Sequence, residues 1–299
     1  MRSTVVCGVD RSPHARAAAR LAGVLARRLG LDLELVHVLD SDSRPASSGA
    51  MAALQAVLQE DLDLNGTAVQ LKTGVVSKVL AEAGRRAPLL VIGTRGEGAL
   101  RRAVLGSVSA TLTRDPRGPV VVVPPGATAA DPPLGGRAIV CGVRDERDSA
   151  PAHAAARMAA DLGLTLTLAH VLGPPATAVS AAGGAPTASM LRPTAAELDA
   201  AMRTLEGIAR SINANIPAVV GLAVLDGRPG PQLDRLAAAS DAAILAVGAC
   251  DHGPLAGALA GTPPQHLMSH GTRPVLICPR PQRLDRMRAP ARQISPMAS

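Results

Sequence analysis

The residues with the clearest chemical potential lie in one stretch, VIGTRGEGALRRAVLGSVSATLTR, which begins at Val91. Gly93 closes an apolar β-branched run, and Thr94, Arg95 and Gly96 follow it. Nine residues later Gly106 and Ser107 open a segment of helical composition. Glycines at 93 and 96 permit positive φ and close approach of a ligand to the backbone. Gly106 and Ser107 place free amides and a hydroxyl at a helix N-terminus, where anions are stabilised. Arg95, Arg101 and Arg102 add positive charge. The spacing G-x2-G-x9-G-S, set between a strand and a helix, therefore predicts a phosphate site. A single glycine here would predict only a turn.

Such a loop needs a parallel sheet behind it, and the chain supplies that sheet twice. VCGV at Val6 recurs at Val140, LELVHVL at Leu33 recurs as LTLAHVL at Leu166, LLVIG at Leu89 as ILAVG at Ile244, and VVVVP at Val120 as VLICP at Val275. The offset between copies grows from 133 at His37 and His170 to 155 at Gly93 and Gly248, so the second copy holds a 22-residue insertion. GPPATAVSAAGGAPTAS, after Leu172, has the composition of that insertion. Each copy alternates short β-branched runs with longer Ala/Leu/Arg segments, the pattern of βαβ units. In the first helix Ser12 suits the N-cap and Pro13 suits N1. Leu21, Leu25 and Leu29 share one face, and Gly30 ends it. Two tandem doubly wound α/β domains are expected, over 1–125 and 137–280, with a linker over 126–136 and a basic disordered tail over 281–299.

The glycine loop after VIG, with V-D after strand one and H-V at the end of strand two, resembles the universal stress proteins, and it does so in both copies. The resemblance implies a five-stranded parallel sheet in each domain, in the order 3-2-1-4-5, a dimerising last strand, and ATP across the strand C-termini; ATP with Mg2+ is the expected cofactor. It places Asp10 and the backbone of Val9 beside the adenosine and Val38 against the adenine. Gly93, Arg95, Gly96, Gly106, Ser107, Val108 and Ser109 would surround ribose and phosphates. The alternative for Asp10 is a carboxylate capping the first helix, and His37, which recurs as His170, is read as a packing residue. The second copy keeps Gly248, Gly261 and Thr262, but Asp251 replaces the second glycine and Arg144 the strand-one Asp. A carboxylate repels phosphate and a β-carbon blocks backbone approach, so weak or absent binding is expected there unless Gly253 or Gly257 shifts the register.

Composition narrows the remaining options. The chain has 299 residues, 47% hydrophobic, with no Phe, Tyr or Trp. Base-stacking platforms and cation–π cages are therefore excluded, and an adenine would sit between aliphatic groups such as Val9 and Val38. No G-K-[ST] occurs, which removes the P-loop. The net charge is +7, but five Arg against one Asp fall from Arg280 onward, so the basic balance argues for a solvated tail rather than specific nucleic-acid binding. Four unpaired-looking Cys and the lack of a leader or a spanning apolar run suit a cytoplasmic protein. Cys250, His252, His266, His270 and Cys278 match no zinc spacing and are read as ordinary surface and core residues. The resulting expectation is an ATP-binding regulatory stress-response protein, a homodimer with an unidentified protein partner. The alternatives are a slow ATPase or nucleotidyl-transferring enzyme, and a dimeric scaffold that has lost nucleotide.

Overall fold

The computed structural model describes residues 3–39, 67, 69–95, 105–128, 134–173, 192–249 and 262–279. Gly96, Arg101, Arg102, Cys250, Asp251, His252, Gly253, Gly257 and Gly261 lie outside the described residues, as do nearly all of the insertion and the C-terminal tail.

The first copy contributes β1 (Thr4–Gly8), α1 (Pro13–Leu29), β2 (Asp32–Leu39), β3 (Val69–Thr73), α2 (Val76–Arg86), β4 (Leu89–Gly93), α3 (Ser107–Arg114) and β5 (Val120–Val123). The second contributes β6 (Ala138–Gly142), α4 (Ser149–Leu162), β7 (Thr165–Leu172), α5 (Ala195–Asn213), β8 (Val220–Asp226), α6 (Pro229–Ala239), β9 (Ala242–Gly248), α7 (Pro263–His270) and β10 (Val275–Cys278). Strand order across the sheet is β3-β2-β1-β4-β5-β10-β9-β6-β7-β8, so each copy has the order 3-2-1-4-5. Pairing is parallel within each copy. Each is therefore a doubly wound α/β sheet of five strands.

The copies meet strand to strand. β5 and β10 pair antiparallel, with Val122 opposite Val275 and Val120 opposite Ile277. The last-strand edge that the resemblance assigns to a second chain is thus covered, in each copy, by the other copy. Next to this seam, Arg20 on α1 donates to the carbonyl of Thr128 at 3.0 Å. A Cβ on Gly126 would lie 2.7 Å from the carbonyl oxygen of Gly271.

The α1 boundaries follow from its ends. The Ser12 hydroxyl accepts from the Ala15 amide at 3.1 Å, Pro13 occupies the first turn, and Gly30 closes the helix at φ 65°. These are a side-chain N-cap and a left-handed C-cap. Leu21 and Leu25 are fully buried under it, and Ala15, Ala18, Ala19, Ala22 and Ala26 make the rest of the buried face. Small side chains let this helix sit close to the valine-rich sheet, which compensates for the absence of rings. Alternation along β1 sends Val5, Cys7 and Val9 to the α1 face, and Val6 to the α2–α3 face. At roughly 1.5–3 kcal/mol for each buried Leu, Ile or Val, the two aliphatic layers are the main stabilising contribution.

Candidate functional site

The C-terminal ends of β1 and β4 are neighbours in the sheet, and the chain departs to opposite faces from them. That is the switch point at which an open α/β sheet leaves a crevice. The glycine loop begins and ends here. Thr94 follows β4, its amide donates to the Val123 carbonyl at 3.3 Å, and its own carbonyl accepts from the Gly106 amide at 2.8 Å. The Ser109 hydroxyl donates to the same carbonyl at 2.8 Å. The segment between 95 and 105 therefore leaves and returns at one hydrogen-bonded stem. From the other side the Ser12 hydroxyl donates to the Arg95 carbonyl at 3.1 Å, tying α1 to the stem.

The predicted residues have distinct places around this stem. Gly93 does not have positive φ among the described residues. Its missing side chain is needed by α1 instead, because a Cβ would lie 2.8 Å from the backbone of His14. At Gly106 a Cβ would come within 3.1 Å of the Thr94 oxygen, so the glycine allows the stem to close. Gly106 is the N-cap of α3 and has no capping side chain; Ser107 is exposed at the first helical position, and Val108 is half-buried. Ser109 is 2% exposed and its hydroxyl is committed to Thr94 and Gly106, which makes it part of the frame.

Around β1, Asp10 accepts the Ser12 amide at 2.9 Å, so its carboxylate shapes the turn into α1. The Val9 amide donates to Val36 at 2.9 Å, and the His37 Nδ1 lies 2.8 Å from the Val9 carbonyl. His37 thus holds the strand end, in keeping with its reading as a packing residue. Val9 and Val38 are both buried, but in core layers on opposite faces of the sheet. Their side chains do not face one another, and the aliphatic clamp expected between them is not formed. Alternation explains this: Val9 continues the α1-facing series of β1, whereas Val38 follows the α2-facing Val36 of β2.

Three features escaped the spacing argument. Thr94 is wholly buried, yet its Oγ1 has no hydrogen-bond partner. The Nε of Arg95 is likewise buried and unpartnered. Buried polar groups are normally satisfied, and these two orphans fall on consecutive residues of the stem. His14, in the first turn of α1, is the third. Burial and the nearby Arg95 charge hold its pKa below the ordinary 6.5, and Asp10 opposes them. The signal for His14 was its position just inside a helix that starts at the strand C-termini; the orphans had no sequence signal.

In the second copy Arg144 stands in place of Asp10 and Gly248 ends β9. Thr262 caps α7, accepting from the Gln265 amide at 3.4 Å. His266 and His270 stack on α7 with centroids 5.0 Å apart. Among the described residues no group of three or more His, Cys, Asp and Glu side chains could hold a metal ion. Nor is any described helix long and apolar enough to cross a membrane.

Comparison with known proteins agrees with this architecture. A universal stress protein from Archaeoglobus fulgidus superposes with a TM-score of 0.65 at 14% identity, covering 93% of this chain and 98% of that one. A universal stress protein from Mycolicibacterium smegmatis is 30% identical over 139 residues, 40% of this chain and 47% of the relative. One from Mycobacterium tuberculosis is 32% identical over 138 residues, with the same two coverages. The matched region spans about half the length of these curated relatives, at 47%. The universal stress protein family model matches residues 1–124 and 136–279, both copies in tandem. The chain belongs to the universal stress protein family.

Proposed function

We propose that the first domain binds ATP at the crevice between β1 and β4, and that the protein is a nucleotide-dependent regulator of a stress response. The carrying observation is the stem itself. Thr94 Oγ1 and Arg95 Nε are buried without partners, on the two residues whose carbonyls take the Gly106, Ser109 and Ser12 bonds of the stem. A phosphate group bound at this stem would meet the positive end of the helix and the Arg95 guanidinium. Ser107 and the amides of Val108 and Ser109 face the same end, and Arg95 supplies the counter-charge. Asp10 and the Val9 and Val38 backbones would flank the nucleoside. Gly93 and Gly106 contribute by permitting closure of the frame, and Gly96 belongs to the loop. Mg2+ would enter on the phosphates rather than on a protein ligand set. Gly248, Gly261 and Thr262 are the counterparts in the second domain, with Thr262 serving as a helix cap.

Cys7, Cys141 and Cys278 are free and buried. Burial pushes all three thiols up, Cys278 to about 12, which keeps them protonated and unreactive; free cysteines fit the proposed cytoplasmic setting. A homodimer would have to form away from β5 and β10, whose edges are used within the chain.

The absence of Trp and Tyr makes the test direct. The purified chain has almost no absorbance of its own near 280 nm, so bound adenine dominates the near-ultraviolet spectrum. An adenine band after desalting, or saturable binding of added ATP, is expected. Replacement of Gly106 by Val should abolish it while the circular dichroism spectrum stays folded. No band and no binding would reject the proposal in favour of a nucleotide-free scaffold.

A further inference from the structure

The two copies present different groups at the same topological point. In the first, the neutral Ser12 hydroxyl bridges the β1 and β4 ends by bonding to Arg95. In the second, the bridging group is a carboxylate. Asp148 stands at the N-cap of α4, yet its side chain makes no capping hydrogen bond to that helix. It turns instead toward the sheet. Oδ2 accepts the Arg144 amide at 2.8 Å, just beyond β6. Oδ1 lies where it would be 3.1 Å from a Cβ on Gly248, at the end of β9. The Arg144 guanidinium is 3.7 Å from Oδ1, and the Asp148 side chain is only 14% exposed. The carboxylate thus spans the β6–β9 crevice, accepting a backbone amide and an Arg partner, as an incoming anion would.

Burial above all, and after it the Asp148 charge, raises the thiol pKa of both Cys141 on β6 and Cys278 on β10, with Cys278 also acting on Cys141. Asp145 and Glu146 lie in the same connection; Arg147 donates its amide to Asp145 at 2.8 Å. Between Arg144 and Asp148 three carboxylates face two arginines, whereas the first copy has Asp10 and Arg11 in the matching connection.

We propose that Asp148 acts as an internal anion which occupies the second crevice and denies it to phosphate-bearing ligands. Repulsion between like charges at close range and the loss of the Arg144 partners both oppose a phosphate there. The inference rests on the reading of the first domain as a nucleotide site, but its test separates the two. ATP stoichiometry is measured by equilibrium dialysis on the full chain, for the wild type, Asp148→Ser and Asp148→Asn. Serine reproduces the neutral group of the first copy; asparagine keeps the shape and removes the charge, and it protects the test if serine impairs folding. The expected result is a second, weaker equivalent of bound ATP in a folded variant, weaker than the first because Asp251 still stands where the first copy has its second loop glycine. A stoichiometry unchanged from wild type in both variants, or a wild type that already binds two, overturns the role of Asp148. A wild type that binds none rejects the first-domain site; the Asp148 role then stands if a variant gains one and falls if it does not.

Discussion

Ser109 donates its hydroxyl to the Thr94 carbonyl at 2.8 Å, and the two residues are 2% and 0% exposed. This bond joins the start of α3 to the end of β4 and so sets where the helix amides point. It separates two serines that look equivalent in the motif. Ser109→Ala removes a buried bond while Thr94 keeps the Gly106 amide, so a stability loss of about 1 kcal/mol is expected. Ser107→Ala touches an exposed hydroxyl and should change stability by less than about 0.5 kcal/mol. If Ser107 contacts phosphate, its variant loses affinity for ATP by roughly five-fold, worth about 1 kcal/mol. Thermal melts paired with calorimetric titration check both halves. Equal melting losses in the two variants would contradict the assignment of Ser109 to the frame.

Gly93 and Gly30 offer a contrast of a different kind. An alanine at 93 drives a Cβ to 2.8 Å from the His14 backbone, which cannot move without shifting α1. The expected cost is about 1–3 kcal/mol, together with weakened ATP binding, because Ser12 and Asp10 shift with the helix. At Gly30 the φ of 65° is unfavourable for alanine, but no atom lies within 4 Å. Gly30→Ala should cost about 1–2 kcal/mol and leave the affinity untouched. Denaturant midpoints and ATP titrations of the two variants distinguish steric displacement of the site from a local backbone penalty.

The histidines make stability depend on pH with a defined sign. His14 and His266 both have folded-state pKa values below the ordinary 6.5, chiefly because burial disfavours the charged ring. For His266 the stacked His270 acts in the same direction, while Asp234 opposes it. As pH falls below 6.5 the unfolded chain takes up protons that the folded chain resists, so stability declines until the folded-state values are reached. The melting temperature should therefore fall between about pH 7 and about pH 5, and His14→Gln and His266→Gln should each flatten that slope. A slope unchanged in the double variant would show that other groups are responsible.

Much of the fold was legible in one dimension because its causes are local or repeated. Ser12, Pro13 and Gly30 delimit α1 through their own backbone requirements. The recurrence of VCGV, H-V and a closing VVVVP-like strand required two copies of one topology, since duplicate patterns bury duplicate faces. The glycine spacing located the loop stem, because only a strand end and a helix start can be joined in that way. What the tertiary structure decided depends on contacts between distant segments. β5 could have paired with another chain; it pairs with β10, next to the close approach of Gly126 and Gly271. The resemblance and the lack of rings set Val9 and Val38 around one adenine, but the pleat sends their side chains to opposite layers. Thr94, an unmarked residue between two glycines, becomes the hub of the stem only once Gly106 and Ser109 return to it. Asp148 carries no signal in the sequence, and only the adjacency of β6 and β9 turns this N-cap carboxylate into the crevice.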